Sequence, residues 1–380
     1  MPIDYEALRV IWWVLLGTLL IGFAVTDGFD LGVGMLLHCV AKKDLERRVV
    51  LNSIGAVWEG NQIWLVLGGG AIFAAWPTIY SVSFSGFYFA MLLVLFALIL
   101  RPIGFKYRAK IDNPQWRKMW DICLFLGGFM PALLFGVAIG NVLQGVPFYF
   151  DDTLRSFYTG NLLGLLNPFA LLCGLVSVAM LIMHGGLFLS IKTEGAIQKR
   201  SARYAMISAV ALIILFAIAG LWTTYLLKGY VLTSAITHDQ PSNPLYKQVS
   251  MQVGAWLTNY TKYPAFTLAP LAGFAGALFA LLLTKFNYYR TAFVASAFSI
   301  GGIIATVGAS MFPFILPSNI HPEMSLMVWD ASSSQLTLFI MLIATIIFLP
   351  IILLYTSWVY YVLRGKVTDN YITKNSSSVY

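Results

Sequence analysis

Apolar stretches of roughly 18 residues or more recur along the whole of this 380-residue chain, and that repetition limits its fold more than any other feature. Such a segment crosses the hydrocarbon core as a helix, because no water is present there to satisfy an open backbone. Hydrophobic residues make up 59% of the chain and charged residues 11%, against about 25% charge in soluble domains; the mean hydropathy is +0.79. No intervening stretch is long or polar enough for a separate soluble domain. The sequence therefore predicts an all-α polytopic membrane protein, a single transmembrane domain over 1–380. The opening MPIDYEALRVIWW lacks a basic region and a small-residue cleavage site, so the first helix is expected to be retained.

Nine spans are expected, at about 9–38, 50–75, 80–101, 118–142, 163–191, 203–227, 263–285, 291–312 and 335–363. Nineteen Lys and Arg residues then fall on one side, following spans one, three, five, seven and nine, and only Arg9, Arg155, Lys228, Lys247 and Lys262 on the other. The positive-inside rule places the N-terminus outside, in the periplasm, and the C-terminus in the cytoplasm, which an odd number of crossings requires. The net charge of +8 is thereby explained by orientation, and no nucleic-acid partner is called for. Trp12, Trp13, Trp76 and Trp329 are expected at outer interfaces, and Trp116 and Trp120 at an inner one. Loops at about 143–162, 228–262 and 313–334 read as ordered external caps. Gly136-x-x-x-Gly140, Ala272-x-x-x-Gly276 and the Gly68–Gly70 run permit close helix packing.

Intramembrane carboxylates mark functional sites. Asp27, Asp30 and Glu59 are the acids that the orientation places inside the bilayer, with Asp27 and Asp30 one turn apart on a single face. A continuous second span puts Glu59 about 14 Å from its inner end at about 1.5 Å per residue. A carboxyl group in low dielectric can hold a proton and release it when a neighbouring charge changes, which is what a relay requires. Asn61 and Gln62 can orient that carboxyl or hold water beside it. The alternative is a structural lock in which Glu59 pairs with Arg101. His184 is the one intramembrane histidine: a packing group, a proton carrier, or a weak haem-ligand candidate. Cys39, Cys123 and Cys173 lie far apart and imply neither disulfide nor metal site. No nucleotide loop or nucleophile triad occurs.

The motifs DYEALRVIWW, GFAVTDGFDLGVGML, NSIGAVWEGNQIWL, LRPIGFKYR, NPFALLCGL, MFPFILPS and WDASSSQLTL resemble subunit II of the bacterial cytochrome bd ubiquinol oxidases along nearly the whole chain. The resemblance implies two four-helix bundles, approximately 1–142 and 163–312, plus an extra helix at 335–363. It implies pairing with a haem-bearing subunit I that holds haems b and d and oxidises quinol, while O2 is reduced to water with cytoplasmic protons. It further implies membrane lipid and small single-helix accessory subunits as partners, a structural quinone in this chain in some members, and no metal bound by this chain. Glu59 matches the family's acid after the Trp, and Arg101 its arginine at the end of span three. Both are associated with proton delivery or the haem environment, with Trp58 expected against the subunit boundary. Val57 and Glu59 depart from a common version with His and Asp, which puts an imidazole relay in doubt. Two readings from other classes stay open: a proton-coupled secondary transporter, whose internal repeat is not evident, and a purely structural scaffold.

Overall fold

The computed structural model describes residues 2–374. The chain opens on α1 (Tyr5–Val40), turns into the short α2 (Asp44–Ile54), and resumes after a three-residue break as α3 (Trp58–Ala75). α4 (Pro77–Gly86), α5 (Tyr88–Tyr107) and α6 (Pro114–Gln144) follow, and then a hairpin of β1 (Phe148–Phe150) and β2 (Ser156–Tyr158). α7 (Pro168–Lys192) and α8 (Gly195–Tyr225) lead to a second hairpin, β3 (Lys228–Leu232) with β4 (Val249–Val253). Beyond it come α9 (Thr258–Lys262), α10 (Leu268–Lys285), α11 (Tyr289–Met311), a third hairpin of β5 (Phe314–Leu316) and β6 (Leu326–Met327), α12 (Gln335–Val362) and α13 (Asp369–Lys374). All three hairpins are antiparallel and fall in the loops expected to be ordered caps.

Helix starts follow local chemistry. Asn113 and Asn167 each precede a proline, and their side-chain oxygens accept from Gln115 N at 2.8 Å and Ala170 N at 2.9 Å, while the following prolines fill a position that needs no donor.

Eight of the described helices are long and apolar enough to cross a membrane, against nine expected spans. The expected second span, 50–75, is not one helix: it breaks at Gly55, Ala56 and Val57. α3 is not among the eight, because its first turn carries Glu59, Asn61 and Gln62. The depth inferred for Glu59 from an unbroken helix therefore does not apply. Span three likewise divides into α4 and α5 at Phe87.

α1 is central, touching α3, α6, α7, α11 and α12. Glycine makes its closest approach possible: a Cβ on Gly32 would lie 2.0 Å from Leu181 O of α7, and one on Gly185 would lie 2.6 Å from Gly32 C. α12 lies at the edge, with Ile343, Ile346, Phe348, Ile351 and Leu354 exposed. The Gly136 and Gly140 pair packs on Cys173 and Ala170, as the spacing suggests, but nothing lies within 4 Å of a Cβ built on Gly60, Gly69 or Gly70 of α3.

The expected belt of outer tryptophans is largely internal. Trp12 donates to Leu338 O at 2.9 Å, Trp76 is 0% exposed, and Trp329 stacks on His238 with centroids 4.2 Å apart. These rings fill the joint between helix ends and caps, where an apolar body and one donor are both satisfied. Buried Arg9 pins the same caps, donating to the carbonyls of His238 and Gln240 and to Ser332 Oγ. Lys247 and Asp330 pair at 2.7 Å beside them.

At the cation-rich end, Asp121 of α6 accepts from Arg108 at 2.6 Å and from Arg47 of α2 at 2.8 Å. Asp44 accepts from Arg108 at 2.7 Å, and Glu46 from Arg200 of α8 at 2.6 Å. α2 is thereby clamped beneath α5, α6 and α8.

Candidate functional site

Asp27 and Asp30 face the interior from α1, 0% and 1% exposed. Gly28 between them lets α7 close over the pair, since a Cβ there would lie 2.8 Å from Leu181 Cδ2. Opposite, α5 sends Arg101 inward past Gly127 of α6, where a Cβ would lie 2.9 Å from Arg101 Cγ. The Arg101 guanidinium donates to both Asp27 oxygens, at 2.8 and 3.1 Å. This two-pronged, charge-assisted geometry is the strongest ion pair available to a buried carboxylate.

Asp30 has no such cation. Its Oδ2 accepts from Asn61 Nδ2 at 2.7 Å, and its Oδ1 is buried without a partner. Asn61 Oδ1 in turn accepts from the hydroxyl of Tyr360 on α12 at 2.6 Å. That bond fixes the amide the right way round, with its NH2 toward Asp30. Tyr360 is half-buried, so the chain Asp30, Asn61, Tyr360 runs from the interior to the edge of the molecule.

Glu59 is placed elsewhere. It is exposed, two residues before buried Asn61 and so on the opposite face of α3. Among the described residues it forms no ion pair, and the expected alternative lock with Arg101 is corrected: Arg101 is taken by Asp27. Gln62 is half-buried and joins none of these groups. Trp58 is turned inward. Within this chain it is 3% exposed, stacked on Phe105 at 5.1 Å and 5.7 Å from the Arg101 guanidinium carbon, with its Nε1 unpartnered among the described residues. The structure thus gathers Asp27, Asp30, Arg101, Asn61 and Trp58 and leaves Glu59 outside.

His184 is 0% exposed and stacks on Phe293 at 4.3 Å. Its Nδ1 lies 2.7 Å from Ser296 Oγ and its Nε2 3.0 Å from Val25 O. Both nitrogens are engaged, so the side chain does not fit an axial haem ligand. Among the described residues no three His, Cys, Asp or Glu side chains gather as a metal site.

The residue sequence reasoning missed is Tyr360. It sits among Tyr355, Trp358 and Tyr361 near the end of the last span, where an interfacial aromatic is the ordinary reading, and no spacing links it to Asn61.

A multi-pass helical membrane subunit with two buried acids, one of them paired with a buried arginine, and with a bare helix face beside them, is the class that fold and site define. A family model described as cytochrome bd terminal oxidase subunit II matches residues 8–363. The chain is 52% identical over 378 residues to a probable cytochrome oxidase subunit 2 of Haemophilus influenzae, and 49% identical to cytochrome bd-I ubiquinol oxidase subunit 2 of Escherichia coli K12, each match covering 100% of both chains. It is 31% identical to cytochrome bd ubiquinol oxidase subunit 2 of Bacillus subtilis, over 95% of this chain and 97% of that one. A solved structure of bd oxidase from Geobacillus thermodenitrificans is similar in fold, with a TM-score of 0.64 at 15% identity over 94% of this chain and 97% of the other. The chain belongs to the cytochrome bd terminal oxidase subunit II family. It is a multi-pass protein of the bacterial inner membrane.

Proposed function

We propose that the chain is the haem-free subunit of a quinol:O2 oxidoreductase and conducts protons from the cytoplasm toward a haem-bearing subunit I. In this reading α3 is the ninth crossing, the N-terminus is periplasmic and the C-terminus cytoplasmic. Residues 1–142 and 163–312 are two bundles and 335–363 the extra helix. Haems b and d belong to subunit I, where they supply the electron and O2 chemistry. A structural quinone in this chain and small accessory helices belong to the same proposal.

The observation that carries the proton reading is the lone Asp30 Oδ1. One guanidinium balances one carboxylate, and Asp27 has it. A second acid in the same dry pocket needs a proton for neutrality, and Oδ1 is the oxygen left to hold it. Asn61 donates only to Oδ2, so it orients the carboxyl without competing for that proton. Glu59 is exposed on α3 next to Gly60, and about three turns further along Gly69 and Gly70 are open as well. Small residues admit a neighbouring helix closely, and an acid exposed on a membrane-spanning helix needs a protein partner rather than lipid. Glu59 then stands at the boundary with subunit I and passes protons across it.

The test is the intact complex carrying Asp30→Asn or Glu59→Gln, assayed for quinol-driven oxygen consumption, proton uptake and haem content. Loss of a positioned proton carrier costs about 10²–10⁴-fold in rate with haem retained. Unchanged turnover and uptake in both variants would leave the scaffold reading, which the buried Asp27–Arg101 pair also favours.

A further inference from the structure

Far from the acids, at the end opposite the cation-rich one, a cavity of about 420 Å³ opens where α6 ends, α7 begins and α8 passes into β3. Its lining is unusual for a membrane protein: five carboxamides, Asn141, Gln144, Asn161, Asn167 and Asn319, with Lys228 as the one charged group. Two of them build its wall. Asn141 donates to Val137 O and Leu165 O at 2.8 Å each, and Asn167 Nδ2 donates to Asn141 Oδ1 at 3.0 Å.

The other groups are free toward the cavity. The Gln144 side chain, Asn161 Nδ2 and Lys228 Nζ make no hydrogen bond among the described residues, whereas Asn161 Oδ1 is already held by Gly164 N at 2.8 Å. Tyr158 lines the same space, and its hydroxyl is buried with no partner. Its ring is fixed by two glycines: a Cβ on Gly86 would lie 2.6 Å from the ring and one on Gly160 2.7 Å from the hydroxyl. Burial raises the phenol above its ordinary value, so it is a neutral donor. An unpartnered buried hydroxyl costs stability unless a ligand completes it.

Among the described residues no carboxylate lines the cavity, which favours a ligand that is anionic and rich in hydrogen-bonding oxygens. Next in the chain to the lining residues Gly164, Leu165 and Leu227 stand exposed leucines: Leu163 is 78% exposed, Leu226 67% and Leu166 40%. A polar pocket at the level of helix ends, with exposed leucines adjoining its lining residues in the chain, matches an amphipathic occupant.

We propose that this cavity holds the headgroup of an anionic, hydroxyl-bearing phospholipid of the phosphoglycerol type, its acyl chains running out over Leu163, Leu166 and Leu226. The phosphate accepts from Lys228, Asn161 and Gln144. The hydroxyls exchange hydrogen bonds with Tyr158 and with the Asn319 oxygen, whose own amide NH2 is held by Gly145 O at 3.0 Å. The site does not depend on how protons move in the chain.

The experiment delipidates the complex as purified, presents it with phosphatidylglycerol or phosphatidylethanolamine in mixed micelles, and counts retained lipid by native mass spectrometry. Phosphatidylglycerol is expected to be retained in preference, and Lys228→Gln with Tyr158→Phe is expected to reduce that retention by about 10-fold with haem content unchanged. Equal retention of the two lipids by the unsubstituted complex would overturn the proposal, and that comparison does not depend on any variant folding. Release of bound phosphatidylglycerol by millimolar inorganic phosphate would also overturn it, because the site would then read free phosphate.

Discussion

Arg101 commits both terminal nitrogens to Asp27, at 2.8 and 3.1 Å, and so leaves Asp30, one turn away on the same helix, without a counter-ion. Removing one member of a buried pair strands the other. Asp27→Asn or Arg101→Gln is expected to destabilise the subunit by about 3–5 kcal/mol, lowering complex yield and thermal midpoint. The double substitution should recover part of that loss, because no charge is stranded. Additive losses in thermal unfolding would contradict the pairing.

Tyr360 acts on Asp30 through Asn61. Tyr360→Phe removes the hydrogen bond that orients the amide and leaves Asn61 Oδ1 short of a donor, a cost of about 1–3 kcal/mol. Turnover is expected to fall several-fold with its pH profile displaced, while the KM for quinol and the haem content stay unchanged. A merely structural tyrosine would leave the pH profile where it was.

Gly32 sits where α1 meets α7 most closely. Gly32→Ala would put a methyl 2.0 Å from Leu181 O, which backbone cannot yield without moving a helix. Destabilisation of at least about 1–3 kcal/mol is expected, read as loss of assembled protein. Gly69→Ala, which meets nothing within the chain, should leave the subunit folded.

The bare face of α3 makes a different prediction. A Cβ on Gly70 meets nothing within 4 Å in this chain, so with Gly70→Leu the subunit should insert and fold yet lose subunit I on purification. Retention of the partner at full yield would move the boundary elsewhere.

Glu46 gives the cation-rich end a pH dependence. Burial works against its carboxylate, but the Lys42 N–H, Arg200 and the Lys43 N–H outweigh it and hold its pKa below the ordinary 4.5. A depressed carboxylate contributes stability that is fully present above its unfolded value and lost as pH falls through the folded one. The thermal midpoint should therefore drop on acidification below about pH 4.5, and Arg200→Gln should flatten that slope.

The eight apolar crossings were legible because hydropathy reports what a segment can be dissolved in, and so were the rare acids and Arg101. Pairing was not legible. Asp27 and Arg101 are 74 residues apart, and nothing in either stretch says which acid the arginine chooses. The break at Gly55, Ala56 and Val57 escaped because those residues are as apolar as a span requires; only the tertiary clamp on α2, through Arg47 with Asp121 and Glu46 with Arg200, ends the helix there. Trp12, Trp76 and Trp329 read as an interfacial belt because that is where isolated tryptophans go. Here the hairpin caps fold over them; the loops read as caps in the sequence, but nothing in them says which rings they cover. Tyr360 carried no signal, since its role depends on α12 lying beside α3.

The most direct measurement is the infrared difference spectrum of the intact complex between its reduced and oxidised states, in the region where protonated carboxyl groups absorb. A proton held on Asp30 Oδ1 predicts a carboxyl band that shifts in deuterated water and disappears in Asp30→Asn. A spectrum with no such band, or one unaltered by Asp30→Asn, would contradict the assignment of Asp30 as the proton carrier.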